Sequence, residues 1–165
     1  MVMNKGMMSS LESSYMTPKW IVELVVKAFG GPIHFDPCGH PNDCTGASES
    51  IRLPRDGLAV EWPKHSNIFC NPPYGRAIGD WVRKGISTNL GYAGQMVFLV
   101  PARTDTEWFQ DLGTAAQSVC FLRRRLTFPP SNTPAPFPSA LVYLSDMPAS
   151  DFRAAVYGKG WSVEW

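Results

Sequence analysis

An α/β layered sheet is the fold class this sequence predicts, and three observations carry the reading. The run Gln95-Met96-Val97-Phe98-Leu99-Val100 is continuously apolar after its first residue, the pattern of a strand buried on both faces. Other short apolar runs alternate with segments whose apolar residues recur at helical spacing. Prolines and turn residues close the strand-like runs at Asp36-Pro37, Asn71-Pro72-Pro73 and Pro101. Alternating strands and helices pack as helices layered on a sheet. Ligands in such sheets sit beyond the carboxyl ends of the strands. The loops after Asp36, Asn71 and Pro101 are therefore expected to open on one rim.

Taken in order, residues 1–14 read as a disordered start ahead of a single domain over residues 15–165. Met1 to Ser10 has one lysine and lacks the apolar core of a secretory leader. Thr17 suits a helix N-cap and Pro18 the first helical turn. Trp20, Ile21, Leu24, Val25 and Phe29 follow at helical spacing, and Gly30-Gly31 stops the helix. Ile33 to Phe35 is a short strand ending at Asp36-Pro37-Cys38-Gly39. The polar stretch from His40 to Ser50 shows no amphipathic helix. Ser50 to Leu53 forms a further strand, and Asp56-Gly57-Leu58 a turn. Ile68 to Cys70 leads into Asn71-Pro72-Pro73-Tyr74, and a helix from Ala77 to Leu90 carries Ile78, Trp81, Val82 and Ile86 on one face. After Pro101, Thr104 or Asp105 caps a helix bearing Trp108, Phe109 and Leu112. Val119 to Leu122 and Ala140 to Leu144 are strands, separated by a stretch from Pro129 to Pro138 too rich in proline for regular structure.

Composition narrows the function classes. The 165 residues are 44% hydrophobic and 18% charged, with a net charge of +1, an ordinary globular balance. Such a chain has no global basic field, so a nucleic-acid partner would need a local patch. Arg123-Arg124-Arg125 is the one basic cluster, and Arg103 stands at the end of a central strand; these four are the candidate phosphate contacts if a nucleic acid binds. No apolar stretch is long enough to span a bilayer. The four cysteines include no CxxC pair and are expected as reduced thiols. His34, Cys38, His40 and Cys44 cluster, but their spacing fits no familiar zinc template, so no metal is expected.

The chemistry concentrates in Asn71, Pro72, Pro73 and Tyr74. Two prolines in series lack backbone N–H groups, fix their own φ and hold the preceding residues extended. An amide side chain, a free carbonyl and an aromatic ring are thereby held in fixed relation. This constellation can hold a planar amine, with the Asn71 side-chain oxygen and the Pro72 carbonyl as acceptors and Tyr74 as stacking surface. It does not say whose amine is held.

The tetrapeptide resembles the Asn/Asp-Pro-Pro-aromatic signature of S-adenosylmethionine-dependent amino methyltransferases. Further segments run in the same order as in phage and prophage DNA N6-adenine methyltransferases of the small Dam-like type. They are Tyr15 to Trp20, Phe35 to Cys38, Asp56 to Leu58, Asn71 to Gly75, Leu99 to Thr106 with Trp108-Phe109, Arg125 to Phe128, and Phe137 to Ser139. The Pro101 to Thr106 run with Trp108-Phe109 is the most discriminating piece. The resemblance implies a class I methyltransferase fold, Rossmann-like and abbreviated, in the cytoplasm of a bacterial host. It implies S-adenosyl-L-methionine as donor and a flipped adenine in DNA as acceptor. Cofactor contacts then fall to Thr17 and Pro18, to Asp36, Pro37 and Cys38, to Asp56, Gly57 and Leu58, and to Asn71. The glycine-rich turn common to methyltransferases is replaced by Asp36-Pro37-Cys38-Gly39. Two other readings stay open: an RNA-base or protein-glutamine methyltransferase, and a non-catalytic module that keeps the fold. The target DNA sequence and the oligomeric state are not written in the chain.

Overall fold

The computed structural model describes residues 15–42 and 45–165. The expected disordered start, residues 1–14, and Cys44 lie outside these. The elements run α1 (Lys19–Phe29), β1 (Phe35–Asp36), β2 (Glu49–Ser50), β3 (Asn67–Cys70), α2 (Ile78–Ser87), β4 (Gln95–Pro101), α3 (Glu107–Ala115), β5 (Ser118–Leu122), β6 (Ser139–Ser145), α4 (Ser150–Val156) and β7 (Gly160–Glu164). The strands form one seven-stranded sheet in the order β2-β1-β3-β4-β6-β5-β7. The first four in that order are mutually parallel, β6 runs against β4 and β5, and β7 runs against β5. The result is a mixed sheet with helices on both faces.

The pleat explains the layers. Successive residues on β3 and β4 point to opposite faces. Phe69, Val97 and Leu99, with Leu141 and Tyr143 of β6, face α1 and α4. Ile68, Cys70, Met96, Phe98 and Val100, with Ala140 and Val142, face α2 and α3. Both faces are dry, which is why β4 reads as unbroken apolar sequence. Among the described residues no helix is long and apolar enough to cross a membrane.

Several boundaries differ from the sequence expectation for local reasons. Pro18, not Thr17, is the N-cap of α1: its carbonyl accepts the Ile21 and Val22 amides, and no side chain caps the helix. Gly30 does end α1, in a left-handed conformation at φ 65°. α2 stops at Ser87 instead of reaching Leu90, because the Ser87 and Thr88 hydroxyls both turn back onto the Lys84 carbonyl. α3 begins at Glu107: the Thr106 amide and hydroxyl bond the Arg103 carbonyl and spend residues 103–106 on a turn. β1 is Phe35–Asp36 and β2 is Glu49–Ser50, both shorter than or shifted from their expected runs. α4 and β7 were not legible at all, since their apolar residues are few and short in period.

The topology locates a crevice. β1 has β2 on one side and β3 on the other, so the order of the sheet reverses there, and a ligand crevice is expected beyond the carboxyl ends of these strands. The loops after Asp36, Asn71 and Pro101 do leave at that rim. β5 is antiparallel to β6 and so runs with β4, which brings Arg123 to Arg125 out at the same edge.

Candidate active site

Asn71 follows the last residue of β3 and is buried. Its side-chain Nδ2 donates to the Tyr15 carbonyl at 2.8 Å and to the Thr17 hydroxyl at 3.0 Å. Both amide hydrogens are thus used. Its Oδ1 is buried and has no hydrogen-bond partner among the described residues. A buried carbonyl left unmatched costs about 1–3 kcal/mol, so this acceptor is held in reserve at an energetic cost. Thr17, expected as a helix cap and a cofactor contact, has its hydroxyl accepting from this amide. The Asn71 backbone carbonyl accepts the Cys38 S–H at 3.1 Å, and Cys38 Sγ lies 3.6 Å from Cys70 Sγ. Burial, first of all, pushes the Cys38 thiol well above its ordinary range, with the neighbouring Cys70 adding to it, so Cys38 remains a donor.

The Pro72 carbonyl accepts no hydrogen bond among the described residues. Tyr74 points inward: its hydroxyl donates to the Leu99 carbonyl at 3.2 Å. Burial drives its phenol pKa well up, so it too stays protonated. The Tyr74 ring sits in an aromatic box. Tyr15 lies 5.1 Å away centroid to centroid, and Phe137 (5.4 Å) and Phe128 (6.1 Å) meet it edge to face. Tyr15 also packs on Phe128 at 4.8 Å. Beside this box a cleft of about 520 Å³ is lined by Tyr15, His40, Phe128 and the proline-rich loop from Pro129 to Pro136. That volume suits a small organic ligand. Burial lowers the His40 pKa, favouring its neutral form.

The turns at the end of β1 are clamped together. Asp36 is buried, and its carboxylate accepts the Cys38 amide at 3.1 Å and the Thr45 hydroxyl at 3.0 Å. Asp56 accepts the Leu58 amide at 2.9 Å. Between them, a β-carbon at Gly57 would overlap the Pro37 carbonyl; only glycine lets the two turns touch. Trp62 Nε1 donates to the Gly57 carbonyl at 2.9 Å and fixes that approach. Residues 36–38 and 56–58, far apart in sequence, therefore form one surface. At the start of α1, the Lys19 and Trp20 amides bond to no group among the described residues, because helical bonding begins at Ile21.

Arg103, Arg123, Arg124 and Arg125 are exposed at the rim and form no ion pair among the described residues. Arg103 in particular does not pair with Asp105. Arg124 takes a left-handed backbone at φ 67°, uncommon outside glycine. Of the grouping His34, Cys38, His40 and Cys44, from which no metal was expected, His34 Nδ1 accepts the Asn67 amide, Cys38 faces Asn71 and His40 Nδ1 accepts the Asn42 amide, while Cys44 lies outside the described residues. Roles for Tyr15, Phe128 and Phe137 in the aromatic box were missed from sequence. All three lie in segments that carry the resemblance, which gave their order along the chain but not the meeting of their rings. Ser139, read from the sequence only as part of the Phe137 to Ser139 segment, is fully buried, and its hydroxyl has no partner among the described residues.

A family model described as DNA N-6-adenine-methyltransferase (Dam) matches residues 6–140, the greater part of the chain. No curated protein matches it.

Proposed function

The chain belongs to the DNA N-6-adenine-methyltransferase (Dam) family, and from that premise we propose that it transfers a methyl group from S-adenosyl-L-methionine to the exocyclic amine of an adenine flipped out of DNA. The observation that carries this reading is the buried, unpartnered Oδ1 of Asn71. An exocyclic adenine amine is a weak nucleophile because its lone pair is delocalised into the ring. With Nδ2 tied to Tyr15 and Thr17, the amide cannot turn its nitrogen toward the site. Oδ1 and the Pro72 carbonyl are then two acceptors for the two amine hydrogens, and together they favour a more tetrahedral nitrogen. These acceptors are set before the substrate arrives, which is what makes fixed dipoles effective in a water-poor site. No general base is required, since the nitrogen can release its proton after transfer.

Extrusion from the stack is needed for the base to reach such acceptors. The aromatic box of Tyr15, Tyr74, Phe128 and Phe137 offers flat surfaces that replace part of the lost stacking, about 1–3 kcal/mol per base. The residues present also fit the donor. When bound, S-adenosylmethionine supplies a methyl group on a cationic sulfur. The free Lys19 and Trp20 amides at the start of α1 suit its carboxylate. The joined surface of Asp36, Pro37 and Cys38 with Asp56, Gly57 and Leu58 suits the rest of it. The sheet order supports a class I, Rossmann-like assignment, because the crevice at the β1/β3 reversal coincides with Asn71. Arg103 and Arg123 to Arg125 are the proposed phosphate contacts.

The test is incubation with methyl-labelled S-adenosylmethionine and separate DNA, RNA and protein acceptors, followed by nucleoside analysis. Label is expected in N6-methyladenine of DNA and absent with Asn71→Ala. Label confined to RNA or protein would overturn the DNA assignment.

A further inference from the structure

The family match ends at residue 140, so most of β6, all of α4 and all of β7 lie beyond it. We propose that the turn between α4 and β7, through Lys159 acting with Arg123 and Arg124, binds the phosphodiester backbone of DNA beside the proposed active site. This rests on reading DNA as the substrate.

Strand direction brings the parts together. β7 is antiparallel to β5, with Gly160 opposite Leu122, so the chain enters β7 at the rim where β5 delivers its arginines. The Arg123 amide donates to the Lys159 carbonyl at 2.8 Å, which fixes the two residues side by side. The approach depends on Gly160, where a β-carbon would overlap the Phe121 carbonyl. Lys159 Nζ lies 5.9 Å from the centre of the Trp20 ring, within cation–π range. Trp20 is in the first turn of α1, three residues after Thr17, which itself bonds Asn71. The lysine is therefore anchored to the same helix start that orients the proposed catalytic amide.

The charge is unspent. Arg123, Arg124 and Lys159 are exposed, and none forms an ion pair among the described residues. The acids of the same C-terminal segment are sorted away from them. Asp146 follows β6 at the opposite end of the sheet, Asp151 sits in the first turn of α4 there, and Glu164 pairs with Arg153 at the far end of β7. In a chain of net charge +1, such clustering is a matter of placement and not of general excess. Exposed cations without an acidic partner among the described residues, next to the proposed site for a flipped base, match a polyanionic strand.

The test compares the full-length protein with Lys159→Gln and Lys159→Glu, using duplex DNA binding by fluorescence anisotropy across a salt series and methylation kinetics alongside. Lys159→Gln is expected to weaken duplex binding several-fold and to reduce the slope of log K against log salt by about 0.9, one phosphate contact. Lys159→Glu should weaken binding at least tenfold. KM for DNA should rise with kcat at saturating DNA unchanged. Because Lys159 is exposed, Lys159→Gln should lower the melting temperature only slightly, through the loss of one exposed cation–π contact. Unchanged affinity and slope, with the unmodified protein still methylating DNA, would sink this inference alone. An unmodified protein that binds duplex through Lys159 but methylates no DNA would leave the phosphate contact standing and sink the enzymatic reading. Weakened binding to single-stranded RNA only would overturn the proposal.

Discussion

Asn67 and Asn71 stand at the two ends of β3, both buried, and the protein treats them oppositely. Asn67 has a partner for both its amide nitrogen and its amide oxygen. Its Nδ2 donates to the Pro32 carbonyl at 2.9 Å, and its Oδ1 accepts from Gln95 Nε2 at 3.2 Å. Gln95 in turn donates to the Phe29 carbonyl and accepts the Tyr143 hydroxyl at 2.9 Å. The amino end of the sheet thus closes on a satisfied polar network that joins α1, β3, β4 and β6. At the carboxyl end, Asn71 has its donors matched and its acceptor left over. One residue type on one strand therefore serves two ends: a matched amide stabilises the fold, and a half-matched one is kept for something that arrives later.

Exchanging each asparagine for alanine breaks this comparison most strongly. Asn71→Ala is expected to lower kcat by on the order of 10²–10³, the usual loss for one pre-set polar group at a reacting centre. Its loss of stability should be smaller than that of Asn67→Ala, because removing the unmatched Oδ1 offsets part of the cost of leaving the Tyr15 carbonyl and the Thr17 hydroxyl without their donor. Asn67→Ala should retain kcat but lose about 1–3 kcal/mol of stability, since it strands the Gln95 donor and the Pro32 carbonyl. Thermal unfolding and single-turnover methylation measured on both variants give the crossing. Parallel losses in the two would show that the ends do not differ in kind.

Tyr74 comes next. Tyr74→Ala should cost roughly ten- to hundredfold in activity, the loss of one stacking surface. Tyr74→Phe should keep most activity and lose about 1 kcal/mol of stability, from the hydrogen bond to Leu99. Equal activity losses in the two variants would assign the role to the hydroxyl instead of the ring.

Thr17 separates two roles at about the tenfold level. If its hydroxyl orients Asn71, Thr17→Val lowers kcat roughly tenfold and Thr17→Ser restores it. A rise in KM for S-adenosylmethionine with kcat intact would make Thr17 a cofactor contact only.

The smallest effect is alkaline. Burial raises the pKa of Cys38 and of its neighbour Cys70 in the folded protein above the ordinary thiol value of 9.0. Below that value both states keep their protons and stability is fully present. As pH rises past it, the unfolded thiols ionise first, and stability falls until the folded thiols also titrate. The melting temperature should therefore decline above about pH 9, and Cys38→Ala should lessen the decline. A melting temperature indifferent to pH through this window would contradict the thiol burial beside Asn71.

Much of this was legible in the chain. The strand exits at Asp36, Asn71 and Pro101 were placed on one rim from apolar runs and prolines alone, and the sheet does carry them there. The stop of α1 at Gly30 was equally plain. α4 and β7 were not, because elements of seven and five residues present too few apolar positions to show a period. The aromatic box escaped notice for a different reason. Tyr15, Tyr74 and the pair Phe128 and Phe137 lie on three separate stretches of the chain, and naming each stretch does not show that their rings meet.

What the sequence determined by itself is the local chemistry of the Asn71 to Tyr74 loop and the order of the segments around it. Proline geometry and side-chain period act over a few residues and need no distant partner. Only the tertiary structure decided which end of the Asn71 amide is left unmatched, that the turns of Asp36 and Asp56 touch across Gly57, and that Lys159 stands beside Arg123. Each of these depends on strand order and register, where contacts far apart in the chain choose among orientations that are locally equivalent.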